Sequence, residues 1–135
     1  MTEAETAQII VWVTNPEAAG RIATVGRKLA DEHSLELHIV SIQNPVGVDN
    51  WEQTFKDLEA LNSAARSVQA ELGVVYSDKR MEAAIKLVRQ IKPKMMVTGV
   101  AGDQARNLFI ENLRTYSGDI PVYAVDPSGN TIELI

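Results

Sequence analysis

The chain has 135 residues, a net charge of −5 and no cysteine, and its length suits a single domain spanning residues 1–135. The lack of cysteine excludes disulfides, thiolate catalysis and cysteine-based zinc sites, and the acidic balance argues against non-specific binding to nucleic acid, which needs a basic face. No apolar run approaches the ~20 residues of a membrane span, and the polar segment Met1–Thr6 is unlike a signal peptide, so we expect a cytoplasmic protein with no direct membrane insertion.

The first half of the chain reads as strand, helix, strand, helix. The first strand is predicted at 9–13, and Asn15-Pro16-Glu17 then marks a helix start, with Asn as N-cap and Pro at the first helical position. A second strand is predicted at 35–42. The longest helix is predicted from Asp49 to Leu72, with Gly73 as its stop. Its inward face is predicted to contain Trp51, Phe55, Leu58, Ala65, Val68 and Leu72. A partner surface at Trp51 and Phe55 is the less favoured alternative.

The second half repeats the alternation. A short third strand is predicted at 74–76, then a helix over 81–91, with Ser77-Asp78 as its cap and Pro93 ending it. The fourth strand is predicted at 95–98 and the last helix at about 107–116, with Tyr116 facing inward and Gly118 as its stop. The fifth strand is predicted at 122–125. After a turn cluster at 126–130, residues 131–135 alternate like one more, exposed strand.

This alternation predicts an α/β fold with a parallel sheet joined by right-handed crossovers. In such a sheet ligands bind beyond the carboxyl ends of the strands, where the strand order reverses. The loops after strands one and four are expected to meet there, and they carry Thr14-Asn15 and the Gly99-x-x-Gly102 turn. Glycine lets a ligand approach the main chain, and the following helix start attracts anions. Arg106 is the nearest basic side chain along the sequence.

The residue pattern does not indicate an enzyme. His33 and His38 stand far apart with no carboxylate at ligand spacing, so both are interpreted as structural and no metal site is expected. The serines occupy no nucleophile-elbow context, and no acid–base pair stands out. We therefore assign no catalytic residue and expect a protein that is not an enzyme.

Three segments together resemble the universal stress protein family. They are residues 30–40, 96–102 and 120–125, which look like the end of the family's first helix with its second strand, its fourth strand with the glycine loop, and its last strand. The resemblance implies a three-layer α/β/α sandwich with strand order 3-2-1-4-5, two helices on each face and commonly a homodimer. It also implies ATP or AMP at the crevice named above. Ile42, at the end of the second strand, is placed with the cofactor-binding residues.

The nucleotide motif of that family is only half present. ATP-binding members show Gly, two residues, Gly, nine residues, then Gly followed by Ser or Thr. Gly99 and Gly102 match the first half, but Asn112 and Leu113 occupy the second. We therefore expect affinity for ATP to be weak or absent. The alternative is a pure interaction module that binds no nucleotide, such as the input region of a sensor kinase or a transporter tail, which similar domains form.

The fifth strand is predicted to lie at the edge of the parallel sheet, because nothing after it supplies another crossover. An uncovered edge leaves backbone groups unpaired. Residues 131–135 are expected either to fold back antiparallel to this strand or to pair with a second subunit. With the contact that the resemblance implies, this predicts a homodimer through Val122, Tyr123 and Val125.

Overall fold

The computed structural model of the chain describes residues 7–44, 51–99 and 108–134, and all structural statements concern these ranges. Strands and helices alternate along them. Their order is β1 (Gln8–Trp12), α1 (Pro16–His33), β2 (Glu36–Gln43), α2 (Trp51–Ser67), β3 (Leu72–Tyr76), α3 (Arg80–Ile91), β4 (Met95–Gly99), α4 (Leu108–Ser117), β5 (Val122–Val125) and β6 (Thr131–Leu134). Within these ranges, no helix has the length and apolarity needed to span a membrane.

The strands form one sheet in the order β3-β2-β1-β4-β5-β6. Neighbours from β3 to β5 run parallel, and β6 runs antiparallel to β5, with Ala124 opposite Ile132. This confirms the α/β class and the order 3-2-1-4-5 predicted for the parallel strands. It also confirms the extra C-terminal strand, which folds back within the same chain.

Two apolar cores flank the sheet because successive side chains of the central strands point to opposite faces. Ile9 and Val11 of β1 pack in the core under α1 and α2. Ile10 and Trp12 pack in the core under α3 and α4. Two helices thus cover each face, and β1 is buried on both sides, which explains its unbroken apolar sequence.

Helix α2 ends five residues earlier than predicted. It stops at Ser67, the chain turns through Gln69 with φ of +59°, and the amide of Ala70 donates to the carbonyl of Ala65. Leu72 and Gly73 belong to β3 instead, opposite Ile39 and Val40. The apolar spacing therefore ran from a helix into a strand, and a left-handed residue other than glycine ended the helix.

The inward placement of three side chains and the predicted cap of α3 are also wrong. Trp51 and Phe55 do not pack inward, since they are 62% and 47% exposed. Tyr116 is 58% exposed, although Gly118, with φ of +73°, follows α4 as the predicted stop. The N-cap of α3 is Lys79, which makes no side-chain cap bond.

Candidate functional site

The carboxyl ends of β1 and β4 lie side by side at one edge of the sheet. Val11 is opposite Val97 in the parallel register, so Thr14 and Asn15 follow β1 at the edge where β4 ends with Gly99. The register thus brings the predicted loops of strands one and four to the same edge. We call this region the carboxyl-edge crevice. Gly102 and Arg106, which were predicted to belong to it, lie outside the described residues.

Asn15 and Thr14 have different roles at the start of α1. The Asn15 Oδ1 accepts the backbone N–H of Glu17 at 2.9 Å, so this side chain caps the helix as predicted. The Thr14 side chain is exposed, and its Oγ1 accepts a hydrogen bond of 2.8 Å from Arg80 Nη2. Thr14 therefore carries the polar contact between the first strand's loop and the rest of the crevice.

Arg80 reaches the crevice from the other side of β2. It is the first residue of α3, which follows β3, and two strand spacings separate β3 from β1, about 10 Å. Its guanidinium carbon lies 5.0 Å from the centroid of the Phe109 ring, a cation–π distance. The arginine is therefore held at two points, by the Thr14 hydroxyl and by the first turn of α4.

The Phe109 ring that Arg80 contacts belongs to an aromatic pair. Phe109 meets Trp12 edge to face, with ring centroids 5.5 Å apart and an interplanar angle of 75°. Trp12 is buried at the end of β1, and its Nε1 donates to the sulfur of Met96 on β4 at 3.4 Å. The ring under Arg80 is thus anchored to the two central strands of the sheet.

This geometry favours the binding of an anion. Arg80 is exposed and carries five N–H donors in a planar fork, one of which is directed to Thr14. Helices α1, α3 and α4 all begin after the carboxyl ends of strands, so the partial positive charges of their N-terminal ends lie on this side of the sheet. A fixed cation and several helix N-termini at one edge form a suitable environment for a phosphate group.

The remaining predicted site residues differ in how far they reach the crevice. The side chain of Ile42 is buried in the core that also contains Trp12. A Cβ added to Gly99 would lie 2.6 Å from Cδ1 of Ile22, so this glycine allows α1 to pack closely on β4. Asn112 is exposed on α4. Leu113 is fully buried, so its side chain faces the core.

Arg80 is the basic residue that sequence reasoning missed. The sequence predicted a crevice at the loops after strands one and four, where the strand order reverses, and Arg106 was the nearest basic residue along the chain. Arg80 lies 66 positions from Thr14 and two strands away in the sheet. One signal was available, because every helix of a parallel sheet starts at the carboxyl edge and a basic first residue is unusual at a positive helix end.

No metal centre is found in the described part of the chain, where no group of three or more His, Asp or Glu side chains is placed to hold an ion. His33 is exposed at the end of α1, and His38 is half-buried on β2. The two histidines belong to separate elements.

No protein-family model matches the chain, and no curated protein matches it. Solved structures do match. A universal stress protein from Archaeoglobus fulgidus in complex with dAMP aligns with a TM-score of 0.66 at 12% identity, covering 90% of this chain and 98% of that one. A universal stress protein in complex with cAMP aligns with a TM-score of 0.58 at 14% identity, covering 90% and 98%. A protein of this family from Burkholderia pseudomallei has a TM-score of 0.58 at 12% identity, with 91% and 98% covered. The chain thus has the universal stress protein fold that its sequence resemblance predicted.

Proposed function

We propose that this chain is a non-enzymatic, cytoplasmic stress or signalling domain that binds an adenine nucleoside monophosphate at the carboxyl-edge crevice. One observation carries the proposal: Arg80 is held by Thr14 and Phe109 at the carboxyl edge of the sheet. The described side chains there are a threonine, an arginine and aromatic rings, which suit binding and not proton transfer. Two solved structures of the same fold hold dAMP and cAMP, each of which carries a single phosphate.

The preference for one phosphate follows from the charges available. A single guanidinium, together with the positive ends of the helices at this edge, complements one phosphate group. A triphosphate would need further donors beside the glycine loop, where Asn112 exposes a bulky side chain and Leu113 is directed into the core. Thr14, Asn15, Gly99, Gly102 and Asn112 are proposed to line the crevice, with Ile42 supporting its floor.

Isothermal titration calorimetry with AMP, magnesium ATP and adenosine tests this proposal. We expect AMP to bind at least tenfold more tightly than either of the others, a difference of about 1.4 kcal/mol or more. Adenosine lacks the phosphate that Arg80 would bind, and ATP carries phosphates that the crevice does not complement. Tight, magnesium-dependent ATP binding would contradict the proposal, and so would heats indistinguishable from buffer for all three ligands.

An interaction module that binds no nucleotide is the second candidate, and the exposed residues Trp51 and Phe55 favour it. They stand one helical turn apart on α2 and are 62% and 47% exposed, which is unusual for large apolar side chains. A domain of this kind serves a sensor kinase or a transporter. We expect Trp51→Ala with Phe55→Ala to leave AMP binding unchanged under the leading proposal. Binding of a partner protein by the unaltered chain in the absence of nucleotide would favour the second candidate function.

We further propose that the protein forms a homodimer at the sheet edge that contains strand five. The backbone of β5 is paired on both sides, and Val122 and Val125 are fully buried. Tyr123 is half-buried, and β6 supplies the outer edge, where Ile132 is 37% exposed. The second subunit would therefore pair with β6 or take its place on β5. Light scattering at tens of micromolar tests the proposal, and a monomeric mass would contradict it.

A further inference from the structure

A second concavity lies at the opposite edge of the sheet, where the strands begin. Its volume is about 830 Å³, which is within the range of small-molecule sites. Gln8 of β1 and Glu36 and His38 of β2 line its floor, and Leu87 and Ile91 near the C-terminal end of α3 line its wall. We call this concavity the amino-edge groove. Thr14, Arg80 and Phe109 are not among its lining residues, so this groove is separate from the carboxyl-edge crevice.

Two polar atoms of the floor lack hydrogen-bond partners. Oε1 of Gln8 and Nε2 of His38 are both removed from solvent and unpaired. Oε1 of Glu36 lies 4.0 Å from Nε2 of His38, which is too far for a hydrogen bond. Buried polar atoms are nearly always paired in folded proteins, so each of these two side chains would gain a hydrogen bond by turning toward a polar molecule in the groove.

Positively and negatively charged side chains lie on opposite sides of the groove. Lys92 and Lys94 lie beside the start of β4, and the amide of Lys94 donates to the carbonyl of Gln8 at 2.7 Å. Gln8 is opposite Glu36 in the register of β1 and β2. Lys94 and Glu36 are thus two strand spacings apart, about 10 Å. The groove is cationic at its β4 side and acidic at its β2 side, with the unpaired amide oxygen between.

We propose that the amino-edge groove binds a small polyhydroxylated anion of the sugar phosphate or sugar acid type. The anionic group would contact Lys92 and Lys94. Hydroxyl groups, which both donate and accept, would pair with the Glu36 carboxylate and, after each side chain rotates toward the groove, with Gln8 Oε1 and His38 Nε2. The aliphatic side chains of Leu87 and Ile91 would pack against the C–H face of the sugar. The separation of about 10 Å across the two strand spacings suits a six-carbon molecule.

Nuclear magnetic resonance titration of the full chain tests the proposal with four probes: glucose 6-phosphate, gluconate, inorganic phosphate and glucose. We expect glucose 6-phosphate, gluconate or both to shift the imidazole signals of His38 and the amides of Gln8 and Lys94 in a saturable manner. Phosphate and glucose alone should bind at least tenfold more weakly, because each supplies half of the contacts. The two active probes distinguish a phosphate from a carboxylate ligand.

His33 is the internal control, since its imidazole is exposed at the end of α1. Equal shifts of His33 and His38 would overturn the proposal by showing a non-specific effect. No saturable shift with any probe would overturn it too. If inorganic phosphate binds as tightly as glucose 6-phosphate, the lysines alone account for binding, and this result also overturns the proposal.

Two variants that each remove one positive charge separate this groove from the rest of the surface. Lys94→Gln should weaken binding of the active probe at least tenfold, whereas Lys28→Gln on α1, across the sheet, should leave it unchanged. Both positions are exposed, so both variants should keep the native circular dichroism spectrum. Neither should alter AMP affinity, which keeps this test independent of the proposed nucleotide site. Equal losses with the two variants would contradict the placement of the anion at Lys94.

Discussion

At the scale of single residues, Arg80 is the group whose role depends most on its surroundings. An exposed arginine on a helix is ordinarily solvated and mobile, and ordering its long side chain costs conformational entropy. Here the Thr14 hydroxyl and the Phe109 ring hold it from two sides. A guanidinium held in this way binds an anion with less ordering cost, which is why we assign it the phosphate contact.

We expect Arg80→Ala to weaken AMP binding about tenfold or more, since a charge-assisted hydrogen bond contributes roughly 1.5–3 kcal/mol. Arg89→Ala is the matched control, because Arg89 carries the same charge in the last turn of the same helix. Arg80→Lys should fall between the two, since an ammonium lacks the planar fork. Calorimetry measures all three variants. Equal losses for Arg80→Ala and Arg89→Ala would show that overall charge, and not this contact, governs affinity.

Positions 112 and 113, which stand where the family motif has Gly and Ser or Thr, differ in burial. Leu113 is fully buried among the side chains under α3 and α4, whereas Asn112 is exposed. We expect Leu113→Ser to lower the free energy of unfolding by about 2–5 kcal/mol, the range for truncating a buried leucine. Asn112→Gly should cost less than about 1 kcal/mol in helix propensity. Urea denaturation measures both changes. A stable Leu113→Ser variant with newly acquired ATP affinity would contradict the buried placement.

At the scale of elements, α1 depends on one close approach to the sheet. A Cβ on Gly26 would lie 2.5 Å from Cγ2 of Val11, a fully buried residue of the central strand. A Cβ on Gly20, one and a half turns earlier, would meet no described atom within 4 Å. The two glycines therefore have opposite relations to the same core.

The two alanine variants should consequently differ in their effect on stability. Gly20→Ala should raise the free energy of unfolding by up to about 1 kcal/mol through helix propensity. Gly26→Ala gains the same propensity but must displace Val11, and overpacking costs about 1–3 kcal/mol, so its net effect should be destabilising or near zero. Thermal and urea unfolding of both variants provide the measurement. Equal stabilisation by the two would show that α1 does not pack on β1 as described.

At the scale of the whole molecule, β6 changes the way the sheet ends. Its turn is ordered by Asp126, whose Oδ1 accepts the amides of Ser128 at 2.9 Å and Asn130 at 2.8 Å. Gly129, with φ of +88°, completes the turn in a conformation that glycine adopts readily. The tail therefore covers β5 within its own subunit, and any contact between subunits at this edge involves β6.

We expect deletion of residues 131–135 to lower the free energy of unfolding by roughly 1–3 kcal/mol, because β5 loses one ladder of hydrogen bonds and Leu134 loses its packing. If the subunits meet at this edge, the deletion should also reduce the dimer fraction in light scattering. Glu133→Gln is the control, since it alters an exposed side chain and keeps the strand. Unchanged stability after deletion would contradict the pairing of β6 with β5.

The sequence patterns were enough to predict most of the elements, and the resemblance to the universal stress protein family supplied the sheet order. Periodicity, the Asn15–Pro16 start and the Gly118 stop depend on interactions within a few residues, so they can be read locally. The end of α2 could not, because the apolar spacing continued into β3 and Gln69 took the left-handed conformation. The exposure of Trp51 and Phe55 also escaped prediction, since a helix can extend beyond the core that it covers.

What the tertiary structure decided is which distant side chains meet. The sequence placed Thr14 and Gly99 at one edge through strand order, yet the Thr14–Arg80 contact joins positions 66 residues apart. The turn of α4 that buries Leu113, the close packing of Ile22 on Gly99, and the unpaired Gln8 and His38 likewise depend on packing between elements. Local patterns specify strands and helices because backbone hydrogen bonds and amphipathic spacing act over short range. Sites form where side chains from separate elements converge, and only the packed sheet and helices determine those distances.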